Sequence, residues 1–363
     1  GTATFTVKLN YKPTANVTIN LSSSNPAEGT VNPTSLTFTP TGWNTSQTIT
    51  ITGVNDDVDD DNVAYTIITN PATSTDTKYN GLNPTDVSVT NIDNDTAGFT
   101  VSPTTGLQTT EAGGTATFTV KLNSKPTADV TISIASSNPA EGTINPTSLT
   151  FTPTGWNTPQ TITITGVNDD VDDDNVAYTI ITNPATSTDT KYSGVNPTDV
   201  SVTNIDNDTA GYTVNPTSGL QTTETGGITT FTIRLNTRPT ANVTISITSS
   251  NTNEGTVIPT SVTFTPATWS NPQTITITGV DDDIDDDNVA YTIITGAATS
   301  SDTKYSGLNP ADVSVTNIDN DTAGFTVNPT SGLQTTEAGG TATFTVKLNS
   351  KPTADVTITL ASS

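Results

Sequence analysis

GTATFTVKLN, at Gly114–Asn123, is the stretch whose reading decides the fold. Ala116, Phe118, Val120 and Leu122 fall on one side of an extended chain, and Thr117, Thr119 and Lys121 on the other. That alternation is the signature of a half-buried strand in an antiparallel sheet. Thr and Val suit it because β-branched side chains fit a pleated surface. The stretch recurs at Gly1 and Gly340, and as GITTFTIRLN at Gly227, so the chain overlays itself on a shift of 113 residues. A period of that length describes tandem domains rather than a solenoid.

The rest of the repeat alternates in the same way: Val130, Ile132 and Ile134; Leu149 and Phe151; Ile162 and Ile164; Val176, Tyr178 and Ile180; Val200 and Val202. Turn signals such as Ser124-Lys125-Pro126 and Ser137-Asn138-Pro139 separate these runs. No stretch has a helical period. About seven short strands in this span predict an all-β fold of tandem immunoglobulin-like antiparallel β-sandwiches, placed end to end. The expected domains are 97–209 and 210–322. A sandwich lacking its first strand precedes them at 1–96, and the start of a fourth follows at 323–363. The ends fall inside repeats, so the chain reads as a window from a longer array. No Gly/Ser-rich or Pro-rich linker interrupts the junction Asn204–Tyr212, which predicts a stiff connection.

Composition narrows the function. The chain has 363 residues, with 36 acidic and 11 basic ones and a net charge of −25. Such a surface repels nucleic acid and anionic membranes. No apolar run is long enough to span a bilayer. Cys and His are both absent, which removes disulfides, thiolate sites and the commonest catalytic base. An enzyme is therefore not expected. The ligands that remain are hard oxygens, suited to Ca²⁺ or Mg²⁺.

The acids are concentrated. One loop per repeat carries Asp56, Asp57, Asp59, Asp60 and Asp61, then Asp169, Asp170, Asp172, Asp173 and Asp174, then Asp282, Asp283, Asp285, Asp286 and Asp287. Each repeat closes on a second pair: Asp93 and Asp95, Asp206 and Asp208, Asp319 and Asp321. A single Glu follows the opening strand, at Glu111, Glu224 and Glu337. Loops from strands of matching direction gather at one end of a sandwich, so these segments can converge. Five carboxylates within six residues repel one another, and a divalent cation with six to eight oxygen ligands answers that repulsion. The bland alternative is a solvated acidic loop. The loop is not an EF-hand, since Asn175 stands where that motif requires Gly.

Taken in order, these segments resemble the Calx-beta domain, the immunoglobulin-like calcium module of sodium–calcium exchangers and of large bacterial surface proteins. The resemblance is carried by Glu111-Ala112-Gly113-Gly114-Thr115, by Glu141-Gly142-Thr143, by Leu149–Pro153, by Asp169–Asp174 and by Asp206–Gly211. Asn175 and Asn207 depart from the acids common at those places in the family. The resemblance adds Glu141 to the site residues. It implies Ca²⁺ at the end of each sandwich, close to the next domain.

The sequence thus predicts a calcium-stiffened extracellular rod, stalk or fibre, of the kind found in adhesins and matrix filaments at a cell surface. Its partners are neighbouring repeats and further copies of itself. The alternatives are a filament joined by donor-strand exchange, or an ice- or glycan-binding face built on rows such as Thr115, Thr117 and Thr119. A Lys–Asn or Lys–Asp isopeptide is disfavoured, because Arg234 replaces the strand lysine in one copy. Lys78, Lys191 and Lys304 are expected to be solvated.

Overall fold

The computed structural model describes residues Gly1–Ser363, and all of its regular structure is β. The first repeat contributes β1 (Thr2–Val7), β2 (Val17–Ser23), β3 (Gly29–Asn32), β4 (Ser35–Phe38), β5 (Gln47–Gly53), β6 (Val63–Thr69) and β7 (Val87–Asn91). The second contributes β8 (Phe99–Ser102), β9 (Leu107–Thr110), β10 (Thr115–Leu122), β11 (Val130–Ser136), β12 (Gly142–Asn145), β13 (Ser148–Phe151), β14 (Gln160–Gly166), β15 (Val176–Thr182) and β16 (Val200–Ile205). The third contributes β17 (Tyr212–Asn215), β18 (Leu220–Thr223), β19 (Ile228–Leu235), β20 (Val243–Ser249), β21 (Gly255–Ile258), β22 (Ser261–Phe264), β23 (Gln273–Gly279), β24 (Val289–Thr295) and β25 (Val313–Ile318). A hairpin of β26 (Phe325–Asn328) and β27 (Thr345–Leu348) follows.

Each complete repeat is a two-sheet sandwich. In the third, one sheet has the order β17-β19-β23-β21 and the other β18-β25-β24-β20-β22. The second repeats this arrangement with β12-β14-β10-β8 and β13-β11-β15-β16-β9. The alternation read from the sequence is the burial pattern: Phe118, Val120, Leu122, Ile132, Phe151, Ile162 and Ile180 are all buried between the sheets. Their counterparts Phe231, Ile233, Leu235, Ile245, Phe264, Ile275 and Ile293 build the core of the third repeat. The facing Thr rows stay outside and pair across strands, as at Thr117↔Thr163 and Thr119↔Thr161.

Two features depart from the expectation. A complete repeat has nine strands rather than about seven. The additions are β9 (LQTT) and β12 (GTIN), each with a single large apolar residue, so that no alternation announces them. The pairing is also not wholly antiparallel, since β18 runs parallel to β25, from Leu220↔Val315 to Thr223↔Ile318. The opening segment is split between the sheets. After β17 the chain bends and joins the opposite sheet as β18. Gly219 makes that bend at φ +77°, a left-handed conformation that costs little only without a Cβ.

Contacts between Cα atoms divide the chain into two compact units, Gly1–Val167 with Ala177–Asn204, and Asn168–Val176 with Ile205–Ser363. The acidic loop of the second repeat thus belongs to the second unit. No helix of the structure is long and apolar enough to cross a membrane.

Candidate metal centres

In the first unit the site grows from the turn before β3. Glu28 lies there, only 8% exposed, and Gly29 follows it. Gly29 has a physical reason: a Cβ at this position would collide with the ring and hydroxyl of Tyr65. Asn91, at the end of β7, fixes the Glu28 carboxylate. Its Nδ2 donates to Glu28 Oε2 at 3.1 Å and to the Val54 carbonyl at 2.9 Å. The acidic loop then brings Asp56 and Asp60 to Glu28, with one carboxylate oxygen of each residue within 4.8 Å of the others. A small cavity of about 20 Å³ lies among Glu28, Asp56, Asp60, Asn91, Asp93 and Asp95. That is space for roughly one water-sized sphere.

Asp93 shapes this loop. Its Oδ2 accepts the backbone N–H groups of Asp60 and Asp61 at 3.1 and 3.0 Å, and its Oδ1 accepts that of Asp95 at 2.8 Å. Asp61 takes a left-handed backbone, with φ +65°, one of the few such conformations that Asp tolerates. The turn it makes sends Asp56 and Asp60 one way and Asp59 and Asp61 the other. On that second side Lys191 Nζ lies 2.8 Å from Asp59 Oδ1 and 2.6 Å from Asp61 Oδ1. Asp59 Oδ2 meanwhile accepts the Ala97 N–H at 2.8 Å.

Electrostatics separate the two sides. The Lys191 ammonium and the Ala97 N–H hold the Asp59 carboxyl below its ordinary range. Partial desolvation pushes Asp60 up, and Glu28, Asp56 and Asp93 push it further. Asp95 rises for the same reasons, burial first and then Asp93. Asp60 and Asp95, on the side away from Lys191, are thus the two acids held above their ordinary range.

The second unit contains two clusters in its third repeat. Glu254, 6% exposed, meets Asp282 and Asp286, and Glu224, 3% exposed, meets Asp319 and Asp321. Asn317 repeats the part of Asn91: its Nδ2 donates to Glu254 Oε2 at 3.3 Å and to the Val280 carbonyl at 3.1 Å, while its Oδ1 accepts Thr222 Oγ1–H at 2.9 Å. The Asn320 N–H donates to Glu224 Oε2 at 3.0 Å. Burial raises Glu224, as it does Asp286 and Asp321, with neighbouring carboxylates adding to each.

The 168–176 segment also lies in this unit. Asp206 Oδ2 accepts the N–H groups of Asp173 and Asp174 at 3.1 and 3.0 Å, and Asp169 Oδ1 accepts that of Val171 at 2.6 Å. Lys304 Nζ lies 2.6 Å from both Asp172 and Asp174. Burial raises Asp208, with Asp206 and Asp170 adding to it. Glu111 and Glu141, both buried, belong to the first unit.

The sequence-predicted residues therefore separate by role. Asp56, Asp60, Glu224, Asp282, Asp286, Asp319 and Asp321 stand in carboxylate triads within one unit. Asp59, Asp61, Asp172 and Asp174 face lysines. The backbone carbonyls of Asp57, Asp170 and Asp283 accept N–H groups from Lys125, Arg238 and Lys351. Asp285 accepts the Ala323 N–H, and Asp287 repeats the left-handed turn at φ +62°. Glu337 is on an exposed turn. Lys191 and Lys304, expected to be solvated, are ion-paired.

Glu28 and Glu254 were missing from the predicted set, although the repeat contains their signal. Stepping 113 residues either way from Glu141 lands on Glu28 and Glu254, each followed by Gly-Thr. Asn91 and Asn317 carry no comparable mark. An Asn on a strand reads as an ordinary polar residue until its burial is known.

No family model matches the chain, and no curated protein matches it. Several solved structures align with parts of it. CBD12 from CALX1.2 aligns at 13% identity and a TM-score of 0.29, over 60% of this chain and 98% of that one. The calcium binding domain CBD12 of CALX1.1 aligns at 15% identity and a TM-score of 0.27, over 55% and 80%. Domains 4–9 of the surface layer protein SbsC align at 15% identity and a TM-score of 0.24, over 92% and 44%.

Proposed function

We propose that this chain is a calcium-stiffened repeat region of an extracellular structural protein, a rod, stalk or fibre in which the acidic loops are ion sites. One observation carries the reading. Glu28–Asp56–Asp60 and Glu254–Asp282–Asp286 are the same triad in two separate units, each built on a buried Glu held by a buried or half-buried Asn. A carboxylate buried beside two others is costly unless something compensates its charge. All-oxygen donors suit Ca²⁺, which takes six to eight such ligands without a strict geometry. Glu28, Asp56 and Asp60 would hold the ion in the first repeat. Glu254, Asp282 and Asp286, together with Glu224, Asp319 and Asp321, would do so in the third.

The proposed mechanism is charge neutralisation. An ion that binds only the folded state adds about 2.7 kcal/mol per site at a hundredfold excess over Kd. It also ties the acidic loop to the buried Glu that precedes β3 in the first repeat and β21 in the third. The acidic surface and the repeat architecture support an extracellular scaffold, and the proposal includes no catalytic role.

A thermal melt of the whole chain in millimolar CaCl₂, in MgCl₂ and in EDTA tests this. The expected result is a rise in Tm specific to Ca²⁺. Equal melting temperatures in all three would reduce the clusters to solvated charge.

A further inference from the structure

The other side of the acidic loop has a different occupant. Lys191, from the second repeat, reaches back to Asp59 and Asp61 of the first at 2.8 and 2.6 Å. The neighbouring turn adds a main-chain contact, the Lys125 N–H donating to the Asp57 carbonyl at 2.6 Å. These two turns are stapled together. Asp189 accepts the Thr127 N–H on Oδ2 at 2.7 Å and the Lys191 N–H on Oδ1 at 2.9 Å. Tyr192 donates its hydroxyl to the Ser124 carbonyl at 2.6 Å. Lys191 and Lys125 are thus two prongs of one preformed clamp, and a preformed clamp loses little entropy on closing.

The second unit builds the same device. Lys304 Nζ pairs with Asp172 and Asp174, and the Arg238 N–H donates to the Asp170 carbonyl at 2.6 Å. Asp302 and Tyr305 join its two turns as Asp189 and Tyr192 do. The main-chain prong explains why Lys125 can become Arg238: only the backbone of that residue is used.

We infer that the outer face of the acidic loop is a docking surface for the following repeat, with Lys191 and Lys304 as its resident counter-ions, and that this clamp holds the loop in place without any divalent cation. The surface fits a partner with two linked turns, one presenting an ammonium and the other a free backbone N–H. The inference is independent of the calcium reading, since it concerns the opposite face of the loop. Lys191 acts here as a positioning residue: it orders Asp59 and Asp61, and through them the loop that carries Asp56 and Asp60.

Hydrogen exchange by mass spectrometry on the full chain in EDTA at low salt tests it, comparing wild type with Lys191→Met and Lys191→Arg. Met keeps the apolar stem and removes the charge. Peptides covering 56–62 and 124–127 should exchange about fivefold faster in the Met variant, the scale of losing partly exposed ion pairs. Arg should restore protection. High salt should accelerate the wild type and leave the Met variant unchanged, because only the former contact is ionic. Equal exchange in wild type and Lys191→Met would overturn the clamp. Faster exchange spread evenly over the second repeat would overturn it too, because Lys191 would then serve only the stability of its own domain.

Discussion

Asn317 Nδ2 lies 3.3 Å from Glu254 Oε2, and the same Asn accepts from Thr222 and donates to the Val280 carbonyl. One buried amide therefore orients a buried acid and joins β18, β25 and the start of the acidic loop. Removing it leaves several buried polar groups unpaired at once.

Asn317→Ala should accordingly destabilise the third repeat by about 1–3 kcal/mol, the scale of unsatisfied buried groups. It should also weaken any Ca²⁺-dependent rise in Tm, because Glu254 loses its orientation. Denaturant unfolding with and without Ca²⁺ separates these effects. A loss of stability with an unchanged Ca²⁺ increment would show that Glu254 does not touch the ion.

Gly255 tests the support beneath the same acid. A Cβ there would overlap the Tyr291 ring and hydroxyl, and Tyr291 is buried in the core. Gly255→Ala should cost about 1–3 kcal/mol as an overpacking change. Gly307→Ala isolates a different cause. That position is open around its Cβ but sits at φ +80°, so its loss should track backbone strain alone. Calorimetry should show Tyr291→Leu, which removes both the ring and the hydroxyl that the Cβ would meet, easing the first loss and leaving the second unchanged.

The pH dependence should reverse sign with calcium. Asp60, Asp95, Asp208, Asp286, Asp321 and Glu224 are raised in the folded chain, by burial first and neighbouring acids after it. A raised carboxyl binds its proton more readily folded than unfolded. In EDTA, stability should therefore increase as pH falls from neutral toward the folded-state values. Asp59, Asp76, Asp189 and Asp319 are lowered, by ion pairing or backbone N–H donors that outweigh burial. Their contribution is present above the ordinary carboxylate range near pH 4 and is lost as pH falls through their folded values. The EDTA curve should thus rise and then fall on acidification. In saturating Ca²⁺ the initial rise should vanish, because protons compete with the ion. Melting temperatures along a pH series in both buffers check this, and parallel curves would contradict it.

The sequence by itself determined the sandwich and its repetition. Alternation at Phe118, Val120 and Leu122 admits one buried face, and a shift of one residue would expose all three. It also determined that Asp56–Asp61 and its copies form a charged loop, because so many acids cannot enter a core of this kind. Tertiary structure decided how those acids are shared out. Neighbours in sequence part company at Asp60 and Asp61, where a left-handed residue turns one toward Glu28 and the other toward Lys191. The partners of both come from far along the chain, through strand pairings and a clamp set by three-dimensional packing. Local composition records how much charge is present. Only the fold determines which charges meet.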